Sequence, residues 1–123
     1  MSQGSRDKGI EMFNTVYCGS LPQPPEPGKD KFFDYMLETL FGQLWADATL
    51  PIRDRRLLLL GAIAAQGEDM TFTIQARSAL ERGEFTRVQL EEIVLFLTQY
   101  IGYPRASKMR LALMGLFAQL DKG

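Results

Sequence analysis

The stretch from residue 83 to residue 106, GEFTRVQLEEIVLFLTQYIGYPRA, predicts one complete helix and the start of the next. Thr86 is suited to cap the first helix, and Gln89, three residues later, can reach back to complete a capping box. Gly102 stands where the end of a helix favours a left-handed residue, and Pro104 suits the first turn of the following helix. These signals therefore constrain this part of the chain to two consecutive helices.

Apolar residues recur at helical spacing along the rest of the chain. No segment shows a convincing two-residue alternation between turn signals, so we predict an all-α fold of about six helices. The segment 42–51, GQLWADATLP, is predicted to form a loop, whereas the run 57–65, LLLLGAIAA, leaves almost no polar face and predicts the most buried helix. The predicted helices cover residues 5–17, 30–41, 52–66, 70–82, 86–101 and 104–120.

Length and composition favour one domain over residues 1–123. Hydrophobic residues make up 46% of the chain, which is enough for a real core and too much for a disordered protein. Residues 20–29 hold four prolines and are predicted to form an extended connector. Because a helical layer this short leaves apolar faces uncovered, we expect the chain to form an oligomer.

Charge and hydropathy argue against two classes of partner. The formal net charge of −1 does not favour binding to nucleic acid or to acidic membranes. No apolar run approaches the roughly 18 residues that a membrane-spanning helix needs. The N-terminus is polar and lacks the apolar core of a signal peptide, so we expect a cytoplasmic location.

Histidine is absent from the sequence, and Cys18 is the only cysteine. The absence of histidine excludes histidine-based acid–base catalysis and most zinc or non-haem iron sites. A single cysteine excludes a CxxC pair and an intramolecular disulfide framework. We therefore predict no metal and no cofactor, and we expect Cys18 to be inert.

Three segments in order resemble the carboxymuconolactone decarboxylase family, which shares its fold with alkyl hydroperoxidase D. Together the segments cover about residues 37–106. Their order and spacing carry the resemblance, since glycine and proline at helix ends recur widely. The segments are LFGQLWADATLPIRDRRLLLLGAIAAQG, QARSALERGEFT and LEEIVLFLTQYIGYPRA.

The resemblance implies an alkyl hydroperoxidase D-like helical domain that assembles as a homo-oligomer, commonly a trimer or a hexamer. It also implies a pocket built from the third to fifth helices and a neighbour's N-terminal residues. The peroxidase-like branch of the family uses a CxxC, and the corresponding helix here, FTIQARSAL, has no cysteine. The decarboxylase-like branch usually carries a histidine where this chain has Gln75, and a second would fall near Phe96. Any chemistry here therefore runs without these histidines.

Three residues are predicted to be catalytic. Gln75 can orient a carboxylate or polarise a carbonyl, although its amide cannot carry a proton. Glu92 matches the family's glutamate, and burial beside Leu95 and Phe96 would suit its carboxyl to proton transfer. Tyr100 can act as an acid or as a hydrogen-bond donor. The predicted substrate-binding residues are Arg56, Trp45, Phe72, Phe96 and Tyr103.

Six of these residues, all except Phe72 and Phe96, have a structural alternative. Arg56 would then form a buried salt bridge with Glu92, because a buried arginine needs an anionic partner. Gln75 would make structural hydrogen bonds. Tyr100 and Tyr103 would pack at a helix junction, and Trp45 would anchor a core or an interface.

Three hypotheses for function follow. The first is a lyase or isomerase that acts on a small carboxylate-bearing or cyclic carbonyl compound by cofactor-free proton transfer. The second is a catalytically inactive oligomer of the same fold that binds a small molecule or has a structural role. The third and least favoured is a thiol-dependent peroxidase, which would have to rely on Cys18.

Overall fold

A computed structural model describes residues 3–123 of the protein. Within these residues the regular structure is helical throughout, and the predicted all-α fold is confirmed. Six α-helices and one π-helix follow one another along the described chain. They are α1 (Gln3–Tyr17), α2 (Lys31–Tyr35), the π-helix (Met36–Trp45), α3 (Ile52–Gln66), α4 (Asp69–Glu81), α5 (Arg87–Ile101) and α6 (Tyr103–Lys122).

The described residues divide into two compact units. The first unit ends at Arg55 and the second spans Arg56–Gly123, so the boundary falls inside α3. Both units bury apolar side chains, such as Val16 in the first and Leu60 in the second. The organisation of residues 1–123 as a single domain stays a prediction.

In the first unit, α1 packs closely against the π-helix. Two glycines at the contact make this approach possible. A Cβ atom on Gly9 would overlap the carbonyl oxygen of Leu37, and a Cβ atom on Gly42 would overlap the carbonyl oxygen of Ser5. Any other residue at either position would push the two helices apart.

The π-helix continues helical structure through Trp45, so the predicted loop over residues 42–51 is wrong for its first four residues. Phe41 and Trp45 are both buried, and their rings stack with centroids 6.2 Å apart. Phe13 of α1 meets Phe41 edge to face at 5.3 Å. This aromatic packing stabilises as a helix a segment whose composition is typical of a loop.

The proline-rich connector is non-helical, and a buried ion pair holds it within the first unit. Arg6 Nε donates to Asp34 Oδ1 at 2.9 Å, and Arg6 Nη2 donates to the carbonyl oxygen of Pro25 at 2.7 Å. The amide of Gly28 donates to the other carboxylate oxygen of Asp34 at 3.0 Å. These bonds tie the connector to α1 and α2.

In the second unit, the predicted signals at both ends of α5 are confirmed. Thr86 Oγ1 accepts from the amide of Gln89 at 3.1 Å, and Gln89 Oε1 accepts from the amide of Thr86 at 2.9 Å. Gly102 ends the helix with a φ of 92°, and Pro104 lies in the first turn of α6. The core beneath these helices includes Leu60, Phe72, Ala76, Leu90, Met109 and Leu113.

Helix α3 is less buried than predicted. Its buried residues are Arg56, Leu60 and Ala64, which recur every four residues and form a single stripe. Leu57 and Leu58 are 41% and 66% exposed. The prediction that α3 is the most buried helix is wrong for the single chain, because α3 buries only this stripe of three residues, whereas α4 buries five.

Candidate functional site

A buried polar cluster joins α3 and α4 to the turn that follows α4. Arg56 is fully buried, and its Nη1 donates to Gln75 Oε1 at 2.6 Å. Arg56 Nε donates to Glu84 Oε1 at 2.9 Å. Glu84 also accepts from Arg82 Nε at 2.7 Å, through its second oxygen. We refer to Arg56, Gln75 and Glu84 as the polar cluster.

The polar cluster meets the physical requirement for a buried charge. Taking a guanidinium out of water costs several kcal/mol unless a carboxylate and further hydrogen bonds replace the lost solvation. Glu84 supplies the carboxylate and Gln75 a further acceptor. The predicted burial of Arg56 is therefore confirmed, whereas its predicted alternative pairing with Glu92 is wrong, because the carboxylate is that of Glu84.

A groove of about 590 Å³ lies between α3 and α5 on the second unit. Most of its wall is apolar, and two polar side chains, Glu92 and Gln99, stand among the lining residues. We refer to it as the α3–α5 groove. Its lining residues are Leu57, Gly61, Glu92, Ile93, Leu95, Phe96, Leu97 and Gln99.

Glu92 lies at the wall of the α3–α5 groove and is exposed. The predicted burial of Glu92 beside Leu95 and Phe96 is wrong for the single chain, since those two side chains are themselves 60% and 61% exposed. The reason is helical geometry. Leu90 and Val94 face the core, and a residue two positions after Leu90 lies about 200° around the helix from it.

Phe96 and Tyr100 form an aromatic pair on the outer face of α5. Their ring centroids lie 5.3 Å apart with the planes tilted by 46°, and both side chains are exposed. Phe96 lines the α3–α5 groove, and Tyr100 stands one turn further along the helix. The structure therefore brings Glu92, Phe96 and Tyr100 to one side of α5.

The other predicted substrate-binding residues lie elsewhere. Phe72 is fully buried in the core of the second unit and does not line the groove. Tyr103 opens α6 and is 71% exposed. Trp45 belongs to the first unit, where it stacks on Phe41. Substrate contacts by these three residues stay predictions.

Hydrogen bonds perturb ionisable groups at exposed positions outside the groove. The side chain and amide of Thr49 donate to Asp47 and lower the pKa of its carboxyl. A hydrogen bond from Arg87 lowers the pKa of Asp121, and the same bond raises the pKa of Arg87. None of these residues lines the α3–α5 groove.

The sequence model of the carboxymuconolactone decarboxylase family matches residues 30–114. The chain belongs to the carboxymuconolactone decarboxylase family. The matched range includes the whole polar cluster and every residue that lines the α3–α5 groove. None of the curated proteins compared with the chain matches it.

In this carboxymuconolactone decarboxylase family member, the two positions at which the resemblance implies histidine have different surroundings. Gln75 is buried, and its side chain serves the polar cluster. Phe96 is exposed and lines the groove. The two positions thus differ in accessibility: the Gln75 side chain is buried and hydrogen-bonded, whereas the Phe96 side chain is exposed at the groove.

Cys18, on which a peroxidase activity would depend, lies in the turn after α1. It is exposed, and its φ of 57° places it in the left-handed region. Residues 3–123 contain no cluster of three or more side chains of the kinds that usually hold a metal ion. Across the same residues, no helix combines the length and the apolar character needed to cross a bilayer.

Sequence reasoning missed Glu84 as a site residue, and it missed six lining residues of the groove: Leu57, Gly61, Ile93, Leu95, Leu97 and Gln99. Glu84 stands 28 positions from Arg56, and no local pattern links the two. A signal for the groove was present in Gly61, because a glycine inside an apolar helix often marks a close approach or an open space.

Proposed function

We propose that the chain is a carboxymuconolactone decarboxylase-like lyase or isomerase. It acts on a small carboxylate-bearing or cyclic carbonyl compound by cofactor-free proton transfer in the α3–α5 groove. The observation that supports this proposal is the position of Glu92, a carboxylate at the wall of an otherwise apolar groove. Among the described lining residues, it is the only one with an ionisable side chain.

Glu92 and Gln99 divide the chemistry between them. A carboxylate can take a proton from the carbon beside a carbonyl group and return it to another carbon. An amide such as that of Gln99 can donate a hydrogen bond to the carbonyl oxygen on which negative charge develops. The apolar walls reduce the amount of competing water.

Assembly with other copies is part of the proposal. The outer faces of α3 and α5 expose Leu57, Leu58, Leu95 and Phe96, which a neighbouring subunit can cover. A trimer or hexamer built on these faces would close the open side of the groove. Burial of Glu92 would then come from the assembly rather than from its own chain.

Deuterium exchange into simple carbonyl compounds tests the proposal. The protein is incubated in D₂O with cyclopentenone, an unsubstituted butenolide and levulinate, and NMR follows the signal of the protons beside each carbonyl. The protein should accelerate the exchange of at least one compound. Glu92→Gln should reduce the enzymatic rate by about 100-fold or more, since general acid–base catalysis contributes at least that much.

Glu91→Gln is the matched control. Glu91 is the neighbouring carboxylate on α5 but does not line the groove, so its substitution should leave the exchange rate unchanged. Equal losses in the two variants, or a rate in Glu92→Gln equal to that of the unaltered protein, would contradict the role of Glu92.

A second candidate function is binding of a small molecule without turnover, and the polar cluster favours it. Arg56 is predicted to bind the substrate and Gln75 to be catalytic, yet the two are hydrogen-bonded to each other, and Arg56 is paired with Glu84. Binding at the groove without any acceleration of deuterium exchange would establish this candidate in place of the first.

A further inference from the structure

We infer that the α3–α5 groove selects an uncharged cyclic carbonyl compound and rejects its carboxylate-bearing counterpart. This inference rests on the proposed function, because it chooses between the two substrate classes named there. The charges around the groove carry it.

The part of the groove that this chain supplies contains a negative charge and no positive one among its described lining residues. Glu92 stands at its wall, and neither lysine nor arginine occurs among the lining residues. A substrate carboxylate placed in the groove would meet Glu92 as a like charge next to apolar walls, where repulsion is stronger than in bulk water. It would also lose hydration without gaining an ionic partner.

Arg56, the arginine predicted to bind the substrate, is already bonded to other side chains of the protein. Arg56 precedes Leu57, which lines the groove, but its guanidinium is fully buried and bound to Glu84 and Gln75. Arg87, earlier on α5, is paired with Asp121 at 2.8 Å. Neither arginine lines the groove.

The remaining features suit an uncharged ring. Gly61 has no side chain, so α3 leaves space in the groove at this position. A Cβ atom added there would lie 3.9 Å from Leu97 Cδ2. The ring of Phe96 offers an aromatic face. Gln99 offers the donor that a carbonyl oxygen accepts, and a volume of about 590 Å³ exceeds what one or two fused rings need.

The reaction on such a compound is an isomerisation. The substrate for this step is a β,γ-unsaturated carbonyl compound. The proton on its α carbon passes to the carboxylate of Glu92, the electrons of the broken C–H bond form the α,β double bond, and the carbonyl π electrons move onto oxygen to give a dienolate. The same proton then returns to the γ carbon as the carbonyl re-forms and the double bond shifts into conjugation, so no oxidant or reductant is consumed. Decarboxylation would need a carboxylate in the groove and is not the reaction that these charges favour.

Two fluorescent dyes with one ring skeleton test the inference. N-phenylnaphthylamine is uncharged, and anilinonaphthalene sulfonate carries one negative charge. Both are titrated against the full chain, and the dissociation constants are compared in the unaltered protein, Glu92→Gln and Glu91→Gln. The uncharged dye is also the more apolar, so the decisive quantity is the change in the ratio of the two constants.

The uncharged dye should bind the unaltered protein more tightly than the sulfonate. Glu92→Gln should strengthen sulfonate binding about tenfold, as loss of a nearby like charge predicts, and leave the uncharged dye within about twofold. Glu91→Gln should leave both constants unchanged. Gly61→Leu, which fills the groove, should weaken the uncharged dye, whereas Gly115→Leu on α6, where the added side chain meets open space, should not.

The contrary results separate the two proposals. If Gly61→Leu weakens both dyes but Glu92→Gln does not change the ratio, selection against negative charge is wrong while the groove stands as the pocket. If Gly61→Leu affects neither dye, the groove is not the pocket and the proposed function fails with the inference. Light scattering reports whether dilution dissociates an assembly of the chain. If the uncharged dye binds only after that dissociation, a second copy of the chain occupies the groove, and the inference is overturned.

Discussion

The polar cluster and the α3–α5 groove begin at adjacent residues of one helix and differ in almost every physical respect. Arg56 is fully buried, whereas Leu57, the next residue, is 41% exposed and lines the groove. The cluster holds two charges and an amide bonded to one another. The groove has one carboxylate, that of Glu92, and most of the side chains around it are apolar and partly exposed to solvent.

This difference supports the groove, rather than the polar cluster, as the place where we expect a reaction. A hydrogen-bonded cluster such as that of Arg56, Gln75 and Glu84 stabilises the fold only while its members stay in contact with each other. Drawing Arg56 toward a substrate would separate it from the Glu84 carboxylate, and drawing Gln75 away would remove the acceptor of Arg56 Nη1. Contact between Glu92 and a ligand would break no buried hydrogen bond of this kind, because Glu92 is exposed. We therefore expect Gln75, one of the positions that the family resemblance marks, to serve structure, and we expect any chemistry to take place beside Glu92 on α5.

Breaking the polar cluster should produce the largest effect. Arg56→Met keeps most of the buried volume but removes the cation that faces the Glu84 carboxylate, whose side chain is 5% exposed. We expect the free energy of unfolding to fall by about 3–5 kcal/mol, the usual cost of removing one partner of a buried ion pair. Urea denaturation measures it.

Arg77→Met is the control for this substitution. Arg77 pairs with Glu81 across one helical turn, and both side chains are about 40% exposed. Its loss should cost at most about 0.5 kcal/mol. Similar small losses in the two variants would mean that the buried pair does not stabilise the fold as argued.

Removing the amide of the cluster should have an intermediate effect. Gln75→Leu takes away the acceptor for Arg56 Nη1, and a buried donor left without that acceptor should lower the free energy of unfolding by about 1–3 kcal/mol. The uncharged dye should bind as before, because Gln75 does not line the groove.

Gln99→Leu should show the reverse pattern. Gln99 is exposed and lines the groove, so stability should stay within about 0.5 kcal/mol while deuterium exchange slows. Loss of exchange activity in Gln75→Leu without loss of stability would contradict the division between cluster and groove.

Local signals predicted the helices well, and tertiary contacts explain what they missed. The ends of α5 depend on Thr86, Gln89 and Gly102, whose roles involve only near neighbours. The π-helix depends instead on packing against α1 through Gly42 and through the ring of Phe41, which meets Phe13. Nothing within residues 42–51 signals a partner so far away along the sequence.

The site was harder to predict because α5 is apolar on two sides. Leu90 and Val94 face the core, while Leu95 and Phe96 face outward. The apolar pattern alone therefore does not show which side of α5 is buried, or whether Glu92 lies on that side. The burial of Arg56 followed from the apolar run after it, but its partner Glu84 lies beyond the whole of α4. Pattern therefore identified the buried charge and only the structure identified its partner.

Filling the groove by one methyl group should have a small effect on stability, with the opposite sign to that of breaking the cluster. Gly61→Ala adds a Cβ atom 3.9 Å from Leu97 Cδ2, which is an ordinary contact, and alanine favours the helix. The free energy of unfolding should rise by about 0.5–1 kcal/mol. Gly115→Ala, placed in α6 where the new atom meets open space, should give a similar gain.

The two alanine variants should differ in ligand binding. The methyl group at Gly61 narrows the groove and should weaken the uncharged dye by a few-fold, whereas the one at Gly115 should leave binding unchanged. Because both variants gain stability from the same helical preference, a difference in dye affinity isolates the volume of the groove. A loss of stability in Gly61→Ala would mean that Leu97 has no room to accept the methyl group, and that the groove is more tightly packed than its lining residues indicate.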